Sequence, residues 1–133
     1  MGPESLEQVQ EKLAGRQGER KLAELKQLWE DFGLRWAFLE ANTGQHLNAI
    51  VVSETGAGPL KETGGMLSLQ LTPFRSLTGF GVRERADNSQ LYLATGEKEL
   101  HLCWPSPLSS MLGDEVFRWI VRQVAVQTNH LSG

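Results

Sequence analysis

The chain has 133 residues, enough for a domain with its own core, and is 40% apolar and 22% charged, a globular rather than a disordered composition. Thirteen Lys and Arg against sixteen Asp and Glu give a formal charge of −3. That excludes the concentrated basic surface a nucleic-acid partner needs, and the short clusters Arg16/Arg20/Lys21 and Arg83/Arg85 read as solvated faces.

The N-terminal third carries two helical series. Leu6, Val9 and Leu13 repeat at three- and four-residue spacing, and so do Leu22, Leu25, Trp29 and Phe32. The two series are out of phase, and "GRQG" at 15–18 supplies the break between them. Residues 1–18 are therefore expected as a helical extension, ahead of a single domain over 19–133. Gly33 is placed to end the second helix in a left-handed conformation. Leu34, Trp36 and Phe38 then alternate with Arg35 and Ala37, the period of a strand. On that phase Trp29 and Trp36 fill one corner between helix and sheet.

"ANTGQ" at 41–45 is turn chemistry, and Leu47 to Ser53 reads as the returning strand. "ETGAGPLKETGG", residues 54–65, holds four glycines and a proline and reads as a mobile loop between strands. Leu67, Leu69 and Leu71 alternate on one face of the next strand. In 72–90, punctuated by Pro73, Gly79 and Gly81, Phe80 and Val82 mark a short strand. "QLYLA" and "ELHLCW" flank "TGEK" as a second hairpin, and "PSP" at 105–107 ends it. A closing helix starts near Ser109, with Ser109, Ser110 and Asp114 as candidate caps. Leu112, Val116, Ile120 and Val124 form its stripe, widened by Phe117 and Val121. The order predicts an α+β fold: a broken N-terminal amphipathic helix, about five mostly antiparallel strands, and a C-terminal helix across the sheet.

No residue pattern carries catalysis. His101 and Cys103 share a strand face, but with His46 and His130 as the other histidines no spacing completes a metal site. Cys103 lies on a strand, away from any helix N-terminus that would favour a thiolate. Glu30 and Asp31 are adjacent and diverge around a helix end. The glycines of 54–65 match no phosphate-loop pattern. No cofactor, metal or catalytic residue is expected, and the chain reads as a non-enzyme. The single cysteine excludes an intrachain disulfide and fits a reducing compartment. Residues 1–25 lack a secretory apolar run and no segment is long enough to span a membrane, so a cytoplasmic protein is expected.

What remains is interaction surface. Leu22, Leu25 and Trp29, extended by Leu6, Val9 and Leu13, form an apolar stripe that suits a second copy of the chain or another protein. The expected function is a non-catalytic protein-binding module, chaperone-like or adaptor, that self-associates. The alternative from another class is a small-ligand or enzymatic pocket under the 54–65 loop.

Two family resemblances follow this layout. "LYLATGEKELHLCWPSPLSSMLGDEVFRWIVRQVAVQTNHL" and "LAELKQLWEDFGLRWAFLEANTGQHLNAIVV" together resemble the type III secretion chaperone and YbjN-like fold. Membership would imply a homodimer that escorts another protein without catalysis. Residues 72–90 depart from that family, which carries a helix between its third and fourth strands. The helix entering a small sheet through "FGLRW" is also similar to coiled-coil-plus-RWD-like kinetochore subunits. That resemblance implies a scaffold subunit whose first helix pairs with a different chain.

Overall fold

The computed structural model describes residues 2–14, 19–40 and 46–132, apart from the side chains of residues 129–132. The expected break at 15–18, the turn at 41–45 and the His130 side chain lie outside the described residues. The fold is α+β, with its strands divided between two antiparallel sheets rather than gathered in one. The chain forms two compact units, one of Pro3–Leu71 and one from Thr72 onward.

In the first unit, β1 (Pro3–Glu4), α1 (Leu6–Leu13), α2 (Glu19–Asp31), β2 (Leu34–Leu39), β3 (Asn48–Ser53), β4 (Gly56–Thr63) and β5 (Met66–Leu69) follow in order. The sheet runs β1-β2-β3-β4-β5 with every pair antiparallel. Ser5 opens α1 through a capping box, accepting from Gln8 N while the Gln8 side chain accepts from Ser5 N at 2.8 Å. Gly33 ends the turn after α2 at φ +62°, the left-handed conformation expected of it.

Both helices cover one sheet face. Val9, Leu13, Leu25 and Trp29 pack with Leu34, Ala37 and Leu39 of β2, Ala49 and Val51 of β3, and Leu60 of β4. Phe32 does not join this stripe. It lies beyond the end of α2 and stays 52% exposed. The phase of β2 also differs from strict alternation. Its register to β3 shifts between Leu34 and Trp36, a bulge that inserts Arg35 as an extra residue. Leu34 therefore shares the helix-facing side with Ala37 and Leu39, while Trp36 and Phe38 go to the other face. The two tryptophans do not fill one corner.

The segment expected as a mobile loop is strand β4, an interior strand paired to β3 on one side and β5 on the other. Its composition has local causes. At Gly58 a Cβ would sit 1.8 Å from the Gln70 carbonyl oxygen, so only glycine allows that approach. Pro59 accepts from Gln70 N at 3.1 Å, and its missing N–H falls on the same side, beyond the last residue of β5. Gly64 and Gly65, at φ +61° and +79°, make the tight two-residue turn into β5.

The second unit holds a 3₁₀ turn (Phe74–Ser76), β6 (Gly79–Glu84), β7 (Ser89–Ala94), β8 (Glu99–Trp104), α3 (Leu108–Leu112) and α4 (Glu115–Ser132). Its sheet runs β6-β7-β8, which places the expected hairpin at β7–β8 and makes 79–84 a full strand. The closing helix is divided by Gly113. Leu112 belongs to the short α3 and is 46% exposed, while the buried stripe of α4 is Phe117, Ile120 and Val124. Asp114 caps α4, accepting from Val116 N at 2.8 Å and Phe117 N at 3.3 Å. The Phe117 ring meets Trp104 of β8 edge-on at 5.8 Å, which fastens helix to sheet.

Candidate functional site

The structure places all six residues of the expected interface in or against the core of the first unit. Val9, Leu13 and Leu25 are at most 2% exposed and Trp29 is 9% exposed. Leu6 and Leu22 are partly buried and pack on the same cluster. The apolar stripe is consumed within the chain, and the polar flank of α2 lies beside it.

There α2 and the tip of the β4–β5 hairpin border an open groove of about 800 Å³. Leu28, Met66 and Leu67 give it apolar surface, and Arg20, Glu24, Gln27 and Asp31 rim it along one side of the helix. Met66 is 73% exposed, the most exposed large apolar side chain described. The groove is bounded by the last strand of its sheet. β5 pairs with β4, and among the described residues of this unit no strand pairs with its other side. Thr63 and Met66 flank the two-residue turn and form the closing pair, so the pairing groups alternate outward from there. By that alternation the N–H and C=O of Leu67 and Leu69 point away from β4, toward the open side. Their side chains lie half-buried over the core cluster.

Lys21 fixes the helix to the hairpin at the groove's end. Its ammonium donates to the Gly65 carbonyl and lies 3.5 Å from Glu62 Oε2 and 3.5 Å from Glu24 Oε2. The Glu62 side chain is only 5% exposed and also meets His46 Nδ1 at 3.4 Å. A carboxylate this enclosed is stable only with such partners, so the cluster is structural support for the groove wall. Asp31 accepts from Gln27 Nε2 at 2.9 Å on the surface, and Arg20, 94% exposed, lies 3.5 Å from Glu24.

Of the groove's apolar residues the sequence pattern marks only Leu67, on the strand face it shares with Leu69 and Leu71. Leu28 falls outside the helical stripe, and Met66 follows the glycine-rich 54–65 segment. The Gly64–Gly65 pair between alternating residues was the signal available, since it is a two-residue hairpin turn.

In the second unit, His101 and Cys103 do share the outer face of β8, as their spacing requires. Both imidazole nitrogens of His101 have protein neighbours: Nδ1 is 3.2 Å from Gln90 Oε1, and Nε2 is 3.2 Å from Glu99 Oε1. Gln90 Nε2 donates to Cys103 Sγ at 3.5 Å. Arg83 lies 4.6 Å above the Tyr92 ring and 3.8 Å from Glu99. The face is a mutually satisfied polar network, and among the described residues no three His, Cys, Asp or Glu side chains are gathered to hold a metal. No helix among the described residues is long and apolar enough to cross a membrane.

No protein-family model matches the chain, and no curated protein or solved structure matches it either.

Proposed function

We propose that this chain is a non-catalytic protein-binding module, chaperone-like or adaptor, that takes an extended segment of another protein along β5 beside α2. One observation carries the reading: a strand edge that no strand pairs among the described residues of this unit, with half-buried leucines, borders an open, partly apolar groove. Strand addition supplies affinity through main-chain hydrogen bonds, and the adjacent groove supplies side-chain selection. The interaction surface is thus the outer flank of α2 and the β5 edge, while Leu22, Leu25 and Trp29 hold that flank in place from beneath. Photo-crosslinking in cells tests it. A photoreactive residue at Met66 is expected to give discrete protein adducts, whereas one at Val126, exposed on α4, gives none. Equal adducts at both sites, or none at Met66, would remove the reading.

Self-association is favoured by a different observation. Strand β6 ends its sheet and leaves Phe80 44% and Val82 40% exposed. Antiparallel pairing of two β6 strands about a two-fold axis at Gly81 sets Phe80 of each copy opposite Val82 of the other, an apolar cross-strand pair. Light scattering across a hundredfold concentration range is expected to show a mass that doubles, and Val82→Lys to restore the monomer. A constant single-chain mass would reject it.

A further inference from the structure

Tyr92, the only tyrosine of the chain, stands on β7 directly opposite Gly81 of β6. Its ring lies over that glycine: a Cβ at position 81 would sit 2.4 Å from Tyr92 Oη and 2.6 Å from Cζ. The phenol therefore reaches across to the last strand of the sheet, where its hydroxyl bonds to no other described residue. Among the described residues of this unit no strand pairs with the other side of β6. The backbone there is ordered for pairing. Arg85 N donates to Asn88 O at 2.8 Å across the two-residue turn, so hydrogen-bonded pairs to β7 recur at every second residue, at Arg83, Gly81 and Gly79. Phe80, Val82 and Glu84 accordingly hold their N–H and C=O groups on the open side.

We infer that Tyr92 marks the two-fold axis of a homodimer: two β6 strands pair antiparallel with Gly81 opposite Gly81, and the two Tyr92 hydroxyls meet above that glycine pair. The inference rests on the self-association reading above and assigns its register and its contact on the second sheet face. Phe80 and Val82 lie on the face of the buried Leu91, Leu93, Leu100 and Leu102, whereas Gly81 and Tyr92 lie on the opposite one. In this register both faces of the ladder are compatible. Phe80 faces Val82 of the other copy, and Arg83 faces Gly79, where a Cβ would meet nothing within 4 Å and the arginine has room. A slip of two residues that centres Val82 instead puts Phe80 against Glu84 and Arg83 over Gly81, a place Tyr92 already fills. Gly81 and its copy form a pair without hydrogen bonds, with about 4.5 Å between Cα atoms, which brings the two phenols together. Size decides strength. Phe80 and Val82, 44% and 40% exposed, bring roughly 150 Å² of apolar surface per copy under the pairing. With six strand residues a side, the contact stays below the about 1,200 Å² of a standard interface, so the dimer forms and parts with concentration.

The test is oxidative coupling of tyrosine in the full chain, with the mass followed in parallel by light scattering. A photo-excited ruthenium complex with persulfate removes one electron and one proton from each ring, and the rings join carbon to carbon. Because the chain has a single tyrosine, dityrosine fluorescence in a doubled band on a denaturing gel reports contact between two copies of Tyr92. That band is expected in the wild type, rising with concentration as the mass does. It is expected to fall to background in Val82→Lys, which keeps Tyr92 and charges an exposed edge position. A mass that doubles without dityrosine overturns the axis while self-association stands. Equal dityrosine in the Val82→Lys chain marks chance collision and overturns the axis likewise. A single-chain mass throughout overturns both.

Discussion

Leu25→Ala separates a core residue from an interface residue, which is the question the N-terminal helices raise. Leu25 is 1% exposed and sits among Val9, Leu13 and Trp29 over β2 and β3. Truncation removes the transfer free energy of the lost methyl and methylene groups and leaves a cavity that the surrounding helices and sheet refill only in part. The cost for such a site is about 2–5 kcal/mol. Against a total stability of about 5–15 kcal/mol, that is a large fraction. With a urea slope of about 1–3 kcal/mol per molar, a 3 kcal/mol loss lowers the midpoint by roughly 1.5 M. The assay is urea unfolding followed by far-ultraviolet circular dichroism at two protein concentrations a hundredfold apart, with the mass measured alongside. A core residue lowers the midpoint equally at both concentrations and leaves the mass unchanged. A loss below about 1 kcal/mol would refute the packing argument. So would a loss confined to the dilute sample with a fall in mass, which would return Leu25 to an interface between chains. Leu22→Ala, at a partly buried position, is the internal standard and is expected to cost less than half as much.

Gly58→Ala and Gly81→Ala rank two close approaches by what they meet. A Cβ at Gly58 meets backbone, 1.8 Å from Gln70 O and 3.1 Å from Leu71 Cα, so the chain after β5 must move, at a cost above about 2 kcal/mol. At Gly81 it meets the Tyr92 ring, 2.6 Å from Cζ, which can swing away from Arg83 for about 1 kcal/mol. Chemical denaturation of both variants checks the order, and a larger loss at Gly81 would reject it. Asp114→Ala removes the cap of α4 and is expected to cost about 1 kcal/mol, while Asp114→Asn keeps most of it. Equal losses for the two Asp114 variants in thermal melts would show that charge, rather than the accepted hydrogen bonds, is what matters there.

How far the sequence could be read depended on whether a local rule was overridden by a distant neighbour. The helices, the Gly33 terminus and the β7–β8 hairpin were legible because apolar periodicity and glycine conformation are local properties. Residues 54–65 were not. Four glycines and a proline describe a loop unless something else needs them there, and that something is the Gln70 backbone, packed on Gly58 and bonded to Pro59. The glycine that looked like freedom is the consequence of crowding. The same misreading hid the groove, because the unpaired edge of β5 exists only if β4 is a strand. A candidate ligand pocket beneath a flexible 54–65 loop accordingly loses its premise, since Gly56–Thr63 is an interior strand.

The tryptophan pair shows what one inserted residue does to such a reading. Strict alternation from Leu34 puts Trp36 and Phe38 beside Trp29. The bulge at Arg35 resets the phase, so the small Ala37 and the branched Leu39 face the helices instead. Trp29 and the small Ala37 belong to one buried cluster, which Trp36 and Phe38 do not join. Trp36 is carried to the opposite side, half-buried, with the Arg35 guanidinium 5.5 Å from its ring and Arg35 Nη1 bound to Glu54 at 2.9 Å. The bulge thus does two things at once. It puts Ala37 and Leu39, rather than Trp36 and Phe38, in the cluster under the helices. It also stations an arginine–tryptophan pair at the end of β2, held by a carboxylate from the β3–β4 turn. The packing of α2 therefore depends on a bulge residue outside the core cluster, and deleting Arg35 would be felt first in the packing beneath Trp29.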